Sequence, residues 1–320
     1  MPVLGDLNER AILLEEVREA VNEMKSGKAS GLDGFQVECL KKGSMAVLGW
    51  LVRLLNLIFD LGVVPMEWCG ACIVPLYNGK GDKCECSNSR GISLLSVVGK
   101  LFGRVLIKRV RPGTECAIGE EQCGFRQGRG CMYQVFAVRQ VCEKYLHAFL
   151  MYSNVKMYSG HLWIWKRPMI LSIDMVCGGN CWRSVWSWRK LLNAVQSFYV
   201  DSRACVRVGN DVSGWFPVNV GLRQGCVMSP WLFNVYMDGV VREVNVRVLG
   251  KGFELLSVNG DRFEINQLLF ADDTALVTVS DKLQGVSCCL PPFWRWLNLN
   301  SRVAVMKSPS NLFKYVIESV

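Results

Sequence analysis

The 320-residue sequence predicts an α/β (α+β) chain, helices interleaved with an antiparallel sheet, on three observations. Apolar residues recur at helical spacing over 9–24, 37–62, 92–110, 132–145 and 230–249. Strict alternation marks a hairpin over 198–220, and a second alternating stretch runs over 253–279. Half of the residues are apolar, which supplies a core and excludes a chain disordered as a whole.

In order along the chain, Ile12, Leu13, Val17 and Val21 share one face of a first helix, with charges between them. Ser26-Gly27-Lys28 stops that helix, and SGKASGLDGF reads as a glycine-rich basic loop. The helix over 37–62 is closed by Gly62 and Pro65. Arg53, Asn56 and Asp60 leave it one polar face, so it reads as a buried amphipathic helix and not a membrane span. Residues 72–77 form a short β-branched strand, and NGKGDKCECSNSRG is a polar loop. A helix over 92–110, a second basic loop over 120–130 and a helix over 132–145 follow. The 198–220 hairpin turns at Gly209-Asn210-Asp211. After the 230–249 helix come two or three strands, with turns at Asn259-Gly260 and around Asp272. Residues 152–188 keep no sustained period, and they hold Trp163, Trp165, Trp182, Trp186 and Trp188 of the chain's 11 tryptophans.

Lys plus Arg exceed Asp plus Glu by 37 to 28, a net charge of +9 that suits a polyanionic partner without specifying one. The 15 cysteines are an odd count with no framework spacing, and the acidic, amphipathic start is no signal peptide. Free thiols in a nuclear or cytoplasmic setting are the simpler reading. Cys69-x-x-Cys72 faintly resembles half a zinc site, but it lies in a strand-like run and is followed by Cys84-x-Cys86.

Phe270-Ala271-Asp272-Asp273 sits between the apolar runs LLF and TALV. Two adjacent carboxylates at a tight turn between hydrophobic strands are costly unless a cation neutralises them, and Mg²⁺ takes oxygen ligands while keeping positions open for phosphates. Asp also favours ordinary surface turns, so the tetrapeptide alone leaves both readings open. Upstream, GLRQGCVMSPWLFNVYMD places a glycine and a glutamine where backbone could approach a nucleotide, and Ser229-Pro230 begins a helix.

With these residues in place, GLRQGCVMSPWLFNVYMDG and LLFADDTALV resemble the nucleotide loop and the metal-binding palm turn of LINE-type (non-LTR) retrotransposon reverse transcriptases. KSGKASGLDG, IVPLYNGKGDK, SRGISLLS and EQCGFRQGRGC resemble that family's upstream motifs, in order, over most of the chain. The resemblance implies right-hand polymerase fingers and palm, with an antiparallel palm sheet and no thumb. It divides the chain into fingers (1–140), a degraded or frameshifted palm segment (141–189), palm with nucleotide loop and FADD turn (190–285), and a degraded tail (286–320). It implies RNA-directed DNA synthesis on an RNA template from a DNA primer at a nicked genomic target, using dNTPs and two Mg²⁺ ions. Asp272 and Asp273 are the matching catalytic metal ligands. Arg90, Arg126, Gln224, Gly225 and Phe270 match nucleotide-contacting positions, and Lys28, Arg129 and Arg223 are expected, with Arg90 and Arg126, on one basic concave face that meets nucleic acid.

The sequence departs from the family at the first palm motif, which should supply a metal-binding Asp on a second strand between Tyr145 and Lys190. Read from the third base of Val155, synonymous codons can give ENVLWAFMDLEKAYD. Three letters of that string are forced by the code: Trp163 with Ile164 gives Asp, Trp165 with Lys166 gives Glu, and Met169 with Ile170 gives Asp. A second shift over SVWSWRK returns the frame near Lys190. Asp174, in LSIDM, locally mimics a palm-strand aspartate, but CGGNCW follows it in place of a helix. Tyr133 stands where the family commonly carries Asp. The expectation is a polymerase domain inactive in this copy; a nucleic-acid-binding remnant and a decayed reading frame that does not fold stay open.

Overall fold

The computed structural model describes residues 9–151, 161–165, 189–219, 223, 225–248, 253–256, 262–265, 267–270, 273–278 and 303–305. The chain divides into two compact units, one from Met1–Ala117 and Ile170–Phe233, the other from Ile118–Met169 and Asn234–Val320. Among the described residues no helix is long and apolar enough to cross a membrane.

The first unit opens with α1 (Leu14–Glu23), whose Val17, Ala20 and Val21 are buried. The expected helix over 37–62 is instead two, α2 (Val37–Lys41) and α3 (Met45–Leu61). Gly43 lies in the break and Ser44 is extended, ahead of the new helix start. Glycine costs a helix interior about 1 kcal/mol relative to Ala, and a serine there favours an N-terminal boundary. Gly62 ends α3 in the left-handed conformation, as its sequence position predicted. Asn56 of α3 ties the entry of α1: its side chain accepts from Ile12 N–H at 2.6 Å and donates to Ile12 C=O at 2.9 Å.

After α4 (Met66–Cys69), β1 (Gly70–Tyr77) pairs antiparallel with β2 (Ser89–Leu94). Residues 92–94 were expected in a helix. They are strand because Ile92 and Leu94 alternate and fall opposite Val74 and Cys72, so the backbone completes a ladder before the helix begins. That helix, α5 (Val97–Glu115), starts at Ser96, whose hydroxyl accepts from Gly99 N–H at 3.3 Å. Later in the unit come α7 (Arg189–Ser197), β4 (Arg203–Val208), β5 (Asp211–Val212) and β6 (Phe216–Pro217). β4 lies parallel to β1 and antiparallel to β5 and β6, which makes a five-stranded mixed sheet. The expected hairpin is present: Val208 pairs with Asp211 across Gly209-Asn210, with Gly209 at φ +62°. Leu55 and Phe59 of α3, Leu101, Phe102 and Leu106 of α5, and Leu191 of α7 are fully buried and make the core.

The second unit holds α6 (Cys131–Met151), β3 (His161–Trp165) and most of α8 (Ser229–Val248). It also holds β7 (Phe253–Leu256), β8 (Arg262–Ile265), β9 (Gln267–Phe270), β10 (Asp273–Thr278) and β11 (Val303–Val305). β7 and β8 pair with each other; the remaining strands form a four-stranded sheet in the order β11-β3-β10-β9, antiparallel throughout. The stretch 253–279 therefore yields four strands where two or three were expected. β3 is a further departure, because it lies inside the stretch read as having no period. Its five residues, HLWIW, are β-branched and aromatic enough to fill a strand slot between β10 and β11 once tertiary pairing offers one.

Candidate active site

The FADD segment straddles a hairpin. Phe270, the last residue of β9, is paired in register with Asp273, the first of β10, so Ala271 and Asp272 are the two residues between them. Asp272 itself lies outside the described residues, as do Gln224 and Asp174.

The basic loop at 118–130 is attached to this hairpin through backbone. Leu269, one residue before Phe270, donates its N–H to Glu121 C=O at 2.9 Å, and its C=O accepts from Cys123 N–H at 2.9 Å. The Gln134 side-chain amide then donates to both Glu121 C=O at 2.7 Å and Leu269 C=O at 3.1 Å. From α8, Asn234 donates to Gly124 C=O at 2.8 Å and Asp238 accepts from Gly119 N–H at 2.7 Å. Asp238 also pairs with Arg242 one turn on at 2.7 Å. The loop that resembles a fingers motif is thus fixed against the strand that leads into the paired aspartates.

Arg126 lies inside this loop and not on its surface. It is buried, and its Nη1 donates to Gly119 C=O at 2.8 Å and Gln122 C=O at 3.2 Å. Arg129 is partly exposed and pairs with Glu120.

In the first unit, the RQG loop packs on β2. Gly225 has φ +101°, and a Cβ there would stand 2.8 Å from Ser93 C=O, so only glycine fits. The SGLDG loop packs two residues further on: a Cβ on Gly31 would come within 2.7 Å of the Leu95 carbonyl. Two of the sequence motifs therefore converge on residues 93–96. Arg90 is exposed further back along β2, opposite Leu76. Lys28 is exposed on its loop. Arg223, expected on a basic surface, is buried: it donates to Trp68 C=O at 3.1 Å, Cys69 C=O at 3.3 Å and Ser202 Oγ at 3.3 Å, and stacks over Tyr199. Burial pushes the Tyr199 phenol well above its ordinary range, so it stays neutral. Of the five arginines and lysines expected on one face, Arg126 and Arg223 turn inward, because loop and helix-end carbonyls need donors and a guanidinium offers several.

Sequence reasoning missed Gln134, Asn234 and Asp238 as the residues that position the loop. Asn234 and Asp238 stand within the GLRQGCVMSPWLFNVYMD motif, four residues apart, and that spacing on one helix face was the available signal.

The strand slot beside the hairpin decides what chemistry the site supports. β3 pairs with β10, Trp165 opposite Thr274, Ile164 opposite Ala275 and Trp163 opposite Leu276. None of its residues is a carboxylate. The codon junction 163/164, which gives Asp in the shifted frame, falls at the middle of this strand. Among the described residues no group of three His, Cys, Asp or Glu could hold a metal ion. Among the described residues, β3 adds no carboxylate beside Asp273, so this strand does not supply the second-strand ligand that an arrangement of two ions held from two strands requires.

Comparison with known proteins adds one family match and three relatives. Residues 79–301 match the family described as reverse transcriptase (RNA-dependent DNA polymerase). The RNA-directed DNA polymerase from mobile element jockey of Drosophila melanogaster is 23% identical over 95% of this chain and 32% of its own length. Its counterpart from Drosophila funebris is 24% identical over 89% of this chain and 30% of its own length. The 115 kDa protein of the type-1 retrotransposable element R1DM, also of D. melanogaster, is 28% identical over 73% of this chain and 22% of its own length. The chain thus spans a third or less of each of these relatives.

Proposed function

The chain belongs to the reverse transcriptase (RNA-dependent DNA polymerase) family, with non-LTR retrotransposon relatives, and from that premise we propose that it is a template–primer-binding polymerase domain that does not extend primers. The observation that carries this reading is the apolar strand β3 in the slot beside the FADD hairpin, where the second metal-binding carboxylate belongs.

The family implies an RNA template, a DNA primer, deoxynucleotides and divalent metal. When bound, Mg²⁺ ions would supply charge neutralisation at the transferring phosphoryl group. Asp272 and Asp273 are the residues that would hold an ion. The convergent glycine loops at Gly31 and Gly225 bring backbone close to β2, which suits contact with a nucleotide or template backbone; Gln224, next to Gly225 in sequence, and Phe270, paired in register with Asp273, are the further nucleotide-contacting candidates. Arg90 and Lys28 are free to reach phosphates from the surface. Arg126 and Arg223, donated inward to carbonyls, act first by shaping their loops, and a phosphate contact from either would have to compete with those bonds.

The test is binding of an RNA–DNA hybrid across a salt series. Neutralising several phosphates releases counterions, so affinity should fall steeply between low and physiological salt. Binding that is flat over that range contradicts the proposal.

A further inference from the structure

On α3 a second apolar stripe lies outside the core. Val47, Trp50, Leu54, Leu57 and Leu61 follow one another at spacings of three and four, and all are exposed, Trp50 at 69% and Leu61 at 65%. The adjacent flank of the same helix, about 100° round, carries Leu48, Leu51, Leu55 and Ile58 and is buried, so the helix cannot roll to hide the stripe. A contiguous apolar seam of this kind on a soluble surface marks an interaction site, and alternating spacings of three and four specify a second helix lying along it.

We infer that α3 is the contact helix of a self-association in which two copies of the chain meet antiparallel about a two-fold axis. In that arrangement Leu54 faces Leu57 of the second copy and Trp50 faces Leu61 of the second copy, each twice. The polar flank of the seam selects this orientation. Arg53 and Asp60 stand seven residues apart on that flank, both exposed. Antiparallel pairing sets Arg53 of each copy beside Asp60 of the other, two ion pairs per dimer, whereas parallel pairing sets Arg53 against the apolar Ile58 flank. Among the described residues Asp60 pairs with Lys190, at 2.9 Å in an exposed pair that costs little to share, and Arg53 rests over the Trp50 ring at 5.3 Å. One helix per partner is a small interface, so the association belongs to the weak, concentration-dependent class.

Sedimentation equilibrium of the full chain over a concentration series should show a reversible dimer. Trp50→Glu should weaken it about thirtyfold or more, with an unchanged thermal melt because the side chain is outside the core. Arg53→Asp and Asp60→Arg should each weaken self-association roughly tenfold, and mixing the two variants should restore it, since each then meets opposite charges. A chain that stays monomeric throughout, a dimer indifferent to Trp50→Glu, or variants that do not rescue each other on mixing would overturn the inference.

Discussion

Arg109 is the residue on which the first unit turns. Only 4% of its side chain is exposed, and it donates to Glu16 and to the carbonyls of Arg10 and Ala11. Burial opposes ionisation of Glu16, but hydrogen bonds from Arg109 and the Leu13 N–H, with the positive charges of Arg109 and Arg10, outweigh it and lower the carboxyl below 4.5. A depressed folded-state pKa means the contribution is fully present above 4.5 and is lost as pH falls through the lower folded value. Denaturant melts on a descending pH series should show a loss of stability in that acid range that Glu16→Gln removes. Arg109→Leu should cost about 3 kcal/mol, because it strands a half-buried carboxylate and two carbonyls. Gly225→Ala should cost on the order of 1–3 kcal/mol, through its left-handed φ and the clash with Ser93; a melt equal to that of the parent chain would sink the close-approach argument.

At the scale of elements, Gln134 joins three pieces of the second unit with one amide. Gln134→Leu, similar in size but without donors, should release the loop at 121–123 from Leu269, seen as faster amide exchange at Cys123 and Leu269 with about 1–2 kcal/mol lost. Long amphipathic helices and the Gly209-Asn210 hairpin were legible in the sequence because period and turn chemistry are local. The break between α2 and α3, the strand at Ser89–Leu94 and β3 were not. A five-residue apolar run fits either period, and its state is set by whether a neighbouring strand edge needs a partner. The FADD hairpin was legible from its flanking apolar runs. The inward turn of Arg126 and Arg223 was not, since a charge in a basic loop looks the same in sequence whether it faces phosphate or carbonyl oxygen.

For the molecule as a whole, the loop at 118–130 is held against the FADD hairpin, while β3, the strand beside that hairpin, carries no carboxylate. Two ions bridging attacking and leaving oxygens need ligands from separate strands, and β3 contributes none. The missing ligand should cost at least a thousandfold in rate, about 4 kcal/mol of transition-state stabilisation. The most direct measurement is primer extension on an RNA template with deoxynucleotides and Mg²⁺, comparing this chain with one in which the stretch 152–188 is replaced by the frame-restored ENVLWAFMDLEKAYD and its continuation. The account predicts no product from the chain as it stands and extension from the version whose β3 regains its aspartate. Extension by the unaltered chain that disappears in Asp174→Asn would contradict it, because a carboxylate elsewhere would then have taken the missing ligand's place.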